Sequence, residues 1–263
     1  MELLPIGILK VNYGKIKEID KIIKSIYRLI IYSRDHLDDD LLDIYLAGMN
    51  DLQEMVSIKN AQMEAQTAEE VEEYLQNLQK TLHFVVEEIT TQRDFDSEIQ
   101  LFQLLRLVSP ETNAIHPNGY RRTTVQIGGY ICPLPALIPQ LVSELYYRME
   151  QIENPIVKAI YLHHELIRIH PFADGNGRVT RVAKNWILMF ALYPPIFIEN
   201  ATQKKEYIQT LSKSFDALQY RPITWNSHTE QFFEQEIDRI LVNANLLYES
   251  IKSIGNARTG KRE

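Results

Sequence analysis

The sequence predicts an all-α protein with one short β excursion. Apolar residues recur at helical spacing from about Lys15 to Val108, and glycine and proline are nearly absent there. Turn-forming residues are concentrated between Pro110 and Pro135, where the Thr-, Val- and Tyr-rich run from Tyr120 to Ile127 predicts a strand or hairpin. Helical spacing then resumes and continues almost to the end of the chain.

Individual helices are predicted from their apolar spacing and their first residues. Thr67-Ala-Glu-Glu70 has the pattern of a capping box and marks a helix start. After the turn-rich segment, helical patterns cover Ile138–Met149, Pro155–Ile169, Asn176–Leu192, Ala201–Leu218 and Gln231–Ile251. We expect an N-terminal helical region (1–100), a central domain (101–225), and a C-terminal helix and tail (226–263).

Composition argues against several classes of protein. Of 263 residues, 45% are hydrophobic and 24% charged, as in soluble globular proteins, and the net charge of −7 argues against a nucleic-acid partner. The longest apolar run, Trp186 to Ile198, is too short to span a bilayer and contains Pro194-Pro195. One cysteine, Cys132, cannot form an internal disulfide, which indicates a reducing compartment. We expect a cytoplasmic protein with no membrane partner, and oligomerisation stays open.

The segment from His170 to Arg181, HPFADGNGRVTR, carries the strongest functional signal. Pro171 ends the preceding helix, and Gly175-Asn176-Gly177 can turn backbone N–H groups toward a common point, as in anion-binding nests. The helix that follows adds the positive end of its dipole. Arg178 and Arg181 lie three residues apart, so both guanidinium groups could reach one ligand. The pattern predicts a phosphate cradle.

Two residues of this segment indicate chemistry on the phosphate. Asp174 is a hard carboxylate of the kind that holds Mg²⁺ beside a polyphosphate. His170 has an unperturbed pKa of about 6.5, near the pH at which a general base is most useful. Each residue alone has a plain structural explanation, since His170 could cap a helix and Asp174 could form a turn. Their convergence is what predicts a catalytic site.

The segment matches, at every specified position, HxFx(D/E)GNGRxxR, the signature of the Fic domain. The chain resembles Fic-domain proteins (the Fic/Doc superfamily) of the protein adenylyltransferase type over roughly Leu101 to Leu218. This resemblance implies a helical bundle with a β-hairpin flap, here Asn118-Gly119-Tyr120-Arg121 and Val125 to Gly129, preceded by helices. It also implies transfer of AMP from ATP to a Ser, Thr or Tyr hydroxyl of a target protein, with release of pyrophosphate. Phosphorylating relatives depart from the signature in the Gly-Arg region, where this chain does not.

The resemblance also implies a role for each residue of the segment. His170 would be the base for the incoming hydroxyl, and Asp174 would hold Mg²⁺ between the α- and β-phosphates. Asn176 and the amides of Gly175 and Gly177 would line an anion hole. Arg178 would lie near the β-phosphate and Arg181 near the γ-phosphate. The target-binding flap residues would pair with an extended segment of the target by β-augmentation; they are Thr123, Thr124, Val125, Gln126 and Ile127.

One departure from the family concerns inhibition. Many members carry a helix with the pattern (S/T)xxxE(G/N), whose glutamate pairs with the second arginine. The nearest segment here is Met55 to Asn60, in which Lys59 takes the place of the glutamate and would repel Arg181. Either inhibition is absent, or the register differs and another acid, such as Glu64, serves.

Two other functions stay open. The chain could use another nucleotide donor, such as UTP or CDP-choline, because the segment recognises phosphates and specifies little about the base. It could also be a non-catalytic module that binds nucleotide or peptide and regulates another protein.

Overall fold

The computed structural model describes residues 1–34, 67–198 and 200–259, and within them it contains nine α-helices and one two-stranded antiparallel sheet. The helices are α1 Tyr13–Arg34, α2 Ala68–Thr90, α3 Glu98–Val108, α4 Pro110–Ile115, α5 Ile138–Glu150, α6 Pro155–Ile169, α7 Asn176–Phe190, α8 Ala201–Ala217 and α9 Ser227–Thr259. The strands are β1 Gln126–Ile127 and β2 Tyr130–Ile131. The all-α prediction is confirmed. None of these helices combines the length and apolar character that a bilayer crossing requires.

Helix starts agree well with the sequence prediction. The capping box at Thr67 is present, because the Glu70 amide donates to the Thr67 hydroxyl over 3.2 Å and the Glu70 carboxylate accepts from the Thr67 amide. Helix α6 has the predicted bounds. Helix α9 begins four residues earlier than predicted, because the Asn226 side chain accepts the amide N–H groups of His228 and Thr229, each over 3.0 Å.

The predicted strand is shorter than expected. Only Gln126–Ile127 pairs with a second strand, Tyr130–Ile131, across a turn in which Gly128 has a φ of 59°. The preceding residues pack instead on the loop that follows α6. The Tyr120 ring stacks on Phe172, and the Arg121 amide donates to the Pro171 carbonyl over 2.8 Å. The prediction of a strand from Tyr120 onward was therefore wrong, because pairing with that loop replaces strand pairing.

Helix α6 is the central element of the fold. Of its fifteen residues only Pro155 and Lys158 are not buried. It packs against α5, α7 and α9, while α3 and α2 cover α7. Helix α1 packs along α9. A helix buried on all sides is rigid, so the residue that follows its last turn, His170, projects from a fixed support.

Candidate active site

His170 follows the last turn of α6 in a left-handed conformation. Its φ is 51° and its ψ is 63°, values that cost energy for a residue with a Cβ. Its amide still donates to the Leu166 carbonyl over 3.0 Å, so the chain leaves the helix abruptly at this residue. Pro171 follows and cannot continue the helix. The conformation needs support from surrounding structure.

Arg121 provides that support. This arginine is only 2% exposed, and its Nε donates to the His170 carbonyl over 2.7 Å. Its two Nη atoms donate to the carbonyls of Thr123 and Pro133, both over 2.6 Å. These two carbonyls lie on either side of the β1–β2 hairpin. One guanidinium group thus joins the loop after α6 to both ends of the β1–β2 hairpin. The sequence placed Arg121 in the flap segment without assigning it a role, and a charged residue beside a turn offered no signal of its burial.

The environment of the His170 imidazole keeps it neutral. Burial lowers its pKa to about 4; the Ile167 carbonyl and Asp174 oppose this, and the positive charge of Arg121 adds to it. The Nδ1 atom is buried, and no hydrogen bond of good geometry reaches it from the residues that the structure describes. A neutral imidazole at pH 7 has a lone pair with which to accept a proton.

The loop after His170 is closed by Asn176. The Asn176 side chain accepts from the Phe172 amide and donates to the Phe172 carbonyl, both over 2.9 Å. Phe172 itself is buried and packs against Phe102 and Tyr120. Both polar atoms of the Asn176 side chain are thus used within the loop. Besides these two bonds, Asn176 has the second N–H of Nδ2 and its backbone amide as donors for an anion.

Gly175 is required by space as well as by backbone conformation. Its φ is 73°, and a Cβ there would lie 2.7 Å from both Cβ and Oγ of Ser109. Helix α7 begins at the next residue, Asn176, so its unpaired N–H groups and the positive end of its dipole lie at this loop. A Cβ at Gly177 would lie 3.1 Å from an Arg181 nitrogen. The two glycines thus let the loop pass close to Ser109 and to Arg181.

The two arginines of the segment take different environments. Arg178 donates to the Ser109 hydroxyl over 3.1 Å and to Glu111 over 2.9 Å, lies 3.4 Å from Asp174, and stacks over the Tyr74 ring at 4.4 Å. Arg178 therefore faces α2 and the α3–α4 junction. The sequence did not single out Glu111 or Tyr74, which are distant along the chain and have no distinguishing pattern.

Arg181 lines a cavity of about 210 Å³ together with His170 and Gly177. The other polar lining groups are Lys204 and Tyr207. The remaining wall is apolar and comes from β1, α6, α8 and the segment before α8; its residues are Ile127, Ile167, Ile198, Ile208, Leu211 and Phe215. A cavity lined by cationic groups together with apolar side chains suits a nucleotide.

The flap residues are divided between this cavity and the solvent. Ile127 lines the cavity, whereas Thr123, Thr124 and Gln126 are exposed and Val125 is half-buried. Asp174 is also exposed, with 76% of its side chain accessible. Within residues 1–34, 67–198 and 200–259, no group of three or more His, Cys, Asp or Glu side chains is placed to hold a metal by itself. Lys59 and Glu64, the candidates for an inhibitory position, lie outside the described residues.

Part of this sequence, and this fold, are similar to those of known proteins. Residues 98–188 match the model of the Fic/DOC family. The chain is similar to the protein adenylyltransferase Fic of Culex quinquefasciatus, with 33% identity over 134 residues, which are 49% of this chain and 27% of the relative. The matched part is thus little more than a quarter of that relative's length.

Solved structures share the fold at lower identity. A Fic domain containing signaling protein from Bacteroides thetaiotaomicron superposes with a TM-score of 0.65 at 19% identity, covering 88% of this chain and 97% of that one. Fic-1 from C. elegans, residues 134 to 508, superposes with a TM-score of 0.63 at 17% identity, covering 90% of this chain and 74% of that one. The prediction of a helical bundle with a hairpin of this type is confirmed.

Proposed function

We propose that the chain is a protein adenylyltransferase, because its residues 98–188 match the model of the Fic/DOC family. It transfers AMP from ATP to a Ser, Thr or Tyr hydroxyl of a target protein and releases pyrophosphate. The observation that carries the proposal is the cavity that a neutral His170, the cationic Arg181 and several apolar side chains line together. We place the reaction in the cytoplasm, which the single cysteine, Cys132, supports.

His170 accepts the proton of the attacking hydroxyl. When the single proton of the neutral imidazole is on Nδ1, the lone pair of Nε2 is left for this task. The hydroxyl oxygen forms a bond to the α-phosphorus, and the bond from that phosphorus to the bridging oxygen of pyrophosphate breaks. Because burial keeps the imidazole neutral at pH 7, the base is ready before the target binds.

The leaving pyrophosphate gains negative charge, and the N-terminus of α7 is suited to receive it. The amides of Gly175, Asn176 and Gly177 supply N–H donors, and the helix dipole adds positive potential. Arg181 already lines the cavity and would contact the γ-phosphate. Arg178 would contact the β-phosphate, exchanging its bond to Glu111 for one to the nucleotide.

Asp174 is the residue that fits a metal. Mg²⁺ is usually held by one or two carboxylates together with substrate phosphates and water, so an exposed carboxylate beside the cradle satisfies its preference. A Mg²⁺ ion held by Asp174 would neutralise part of the negative charge on the nucleotide phosphates.

The flap offers the target a place to bind. Thr123, Thr124 and Gln126 are exposed, and an extended target segment that pairs along Thr123 to Ile127 would bring its hydroxyl toward the cavity that Ile127 lines. This arrangement explains why a helical protein has a hairpin next to its catalytic loop.

Labelled ATP tests the proposal. We expect protein labelling, of the chain itself or of a target in a lysate, from ATP labelled at the α-phosphate and none from ATP labelled at the γ-phosphate. His170→Ala should abolish labelling, whereas His83→Ala, a change at an exposed histidine, should preserve it. Absence of α-label transfer across diverse lysates would overturn the proposal.

Two further measurements address the alternatives. Ranking ATP, UTP and CDP-choline by the thermal shift that each produces identifies the donor. Tight nucleotide binding with no transfer over hours would point to a regulatory module.

A further inference from the structure

Arg181 stands at the end of a chain of buried polar groups that crosses four helices. Glu236 of α9 contacts His163 Nδ1 of α6 over 3.1 Å. His163 Nε2 contacts the Tyr207 hydroxyl of α8 over 2.8 Å. Tyr207 and Arg181 of α7 line the same cavity. Their side chains are hydrogen-bonded, and this bond contributes to the pKa of each. This series of polar contacts therefore runs from α9 to the Arg181 side chain in the cavity.

The two groups farthest from the cavity, Glu236 and His163, are buried. Glu236 is 1% exposed and His163 is fully buried. Burial disfavours ionisation of Glu236, but Lys184, which donates to it over 2.6 Å, His163 and Arg239 outweigh that effect and hold the pKa of this carboxyl well below its usual range. Glu236 is therefore a carboxylate and can only accept hydrogen bonds.

The direction of every hydrogen bond in the chain then follows. Burial lowers the pKa of His163 to about 4, with Lys184 acting in the same direction, so its imidazole carries one N–H. Because Glu236 only accepts, that proton is on Nδ1, and Nε2 is an acceptor. The hydroxyl of Tyr207 must donate to Nε2, which leaves its oxygen lone pairs for the guanidinium group of Arg181. The opposite tautomer would set two lone pairs against each other at Glu236.

We propose that Glu236, His163 and Tyr207 are positioning residues that hold the Arg181 guanidinium toward the terminal phosphate of the donor nucleotide. Of the three residues, only Tyr207 lines the cavity, whereas His163 and Glu236 are buried behind it. Their effect is to keep one rotamer of a long side chain populated before the nucleotide arrives, so that less rotamer entropy is lost on binding. The inference rests on the proposed function, because it takes Arg181 as the γ-phosphate contact.

Tyr207→Phe is the sharpest test, since it removes the hydroxyl and keeps the ring that stacks on His163. We expect calorimetry to show roughly tenfold weaker binding of ATP, as for loss of one hydrogen bond to a charged group. Binding of AMP, which lacks the β- and γ-phosphates, should change little. In turnover assays the KM for ATP should rise while kcat stays near that of the unmodified protein.

Tyr161→Phe is the matched control. This tyrosine is on α6, is fully buried, and donates to the Leu4 carbonyl over 2.7 Å, outside the chain of groups. Removal of its hydroxyl should cost similar thermal stability and leave the ratio of ATP to AMP affinity unchanged.

A second experiment replaces His163 by Gln, which can both donate and accept hydrogen bonds, and by Leu, which can do neither. Gln should restore part of the ATP preference that Leu removes.

The outcomes separate the two proposals. A folded Tyr207→Phe protein with an unchanged ATP-to-AMP ratio would overturn the positioning role, as would an equal loss of that ratio in Tyr161→Phe. An unmodified protein that binds AMP as tightly as ATP would instead overturn the phosphate contacts on which the proposed function depends.

Discussion

The guanidinium group of Arg121 donates a hydrogen bond of 2.7 Å to the backbone carbonyl of His170. The same group also binds carbonyls on both sides of the flap. One side chain therefore fixes both the left-handed backbone of His170 and the β1–β2 hairpin. Movement of the flap is expected to be felt at the catalytic loop through this arginine.

Replacement of Arg121 by Met tests this link. Several buried carbonyls would lose their donor, which should lower the free energy of unfolding by about 3 kcal/mol and lower kcat at least tenfold. Hydrogen exchange should accelerate in the segment from Thr123 to Pro133. Arg122→Ala is the control, since Arg122 is adjacent and exposed. Unchanged exchange in the Arg121 variant would contradict the link.

Gly175→Ala should destabilise the protein by about 2 kcal/mol, because the added Cβ would meet Ser109 in a left-handed conformation. Chemical denaturation measures the loss. The double variant with Ser109→Gly should recover the steric part and keep the conformational part. Gly7→Ala, where a Cβ meets nothing within 4 Å, should be nearly neutral. Full stability in Gly175→Ala would show that the loop does not hold this conformation in solution.

Asn176→Ala should loosen the catalytic loop, because two hydrogen bonds to Phe172 disappear and two backbone groups lose a partner. We expect a loss of about 2 kcal/mol in stability and a larger proportional loss of activity. Asn185→Ala is a fair comparison, since Asn185 makes two similar bonds to Ile196 away from the cavity. It should cost comparable stability with less effect on kcat.

Acid should reduce stability through the buried histidines. His163 has a folded pKa of about 4, below the value of about 6.5 in an unfolded chain. The stabilising contribution of the neutral form is complete above pH 6.5 and is lost as the pH falls through 4. Urea denaturation at pH 7 and pH 5 should show a decrease for the unmodified protein and a smaller one for His163→Gln. His83→Gln, at an exposed site, should leave the decrease unchanged.

We expect protonation of His170 to set the acid side of the pH–activity profile. Because its pKa is lowered to about 4, the imidazole is neutral from pH 5 to pH 8, and kcat should vary little over that range. Activity should fall as the pH approaches 4 and the base is protonated. A limb near pH 6.5, measured at saturating ATP under conditions in which the protein stays folded, would show that burial does not shift this group.

The sequence by itself predicted most of the helices and the segment that we propose as the site. Helix α6 and the residues from His170 to Arg181 could be predicted because periodicity, proline and glycine act over a few residues, and the site segment is contiguous. The tertiary structure alone decided which of these groups meet. Arg178 turns to Glu111, Arg181 joins His170 in the cavity, and Glu236 supports Arg181 from a helix more than fifty residues away. Burial, which lowers the pKa of His170 and hides Arg121, depends on elements packed from across the chain, and no local pattern encodes it.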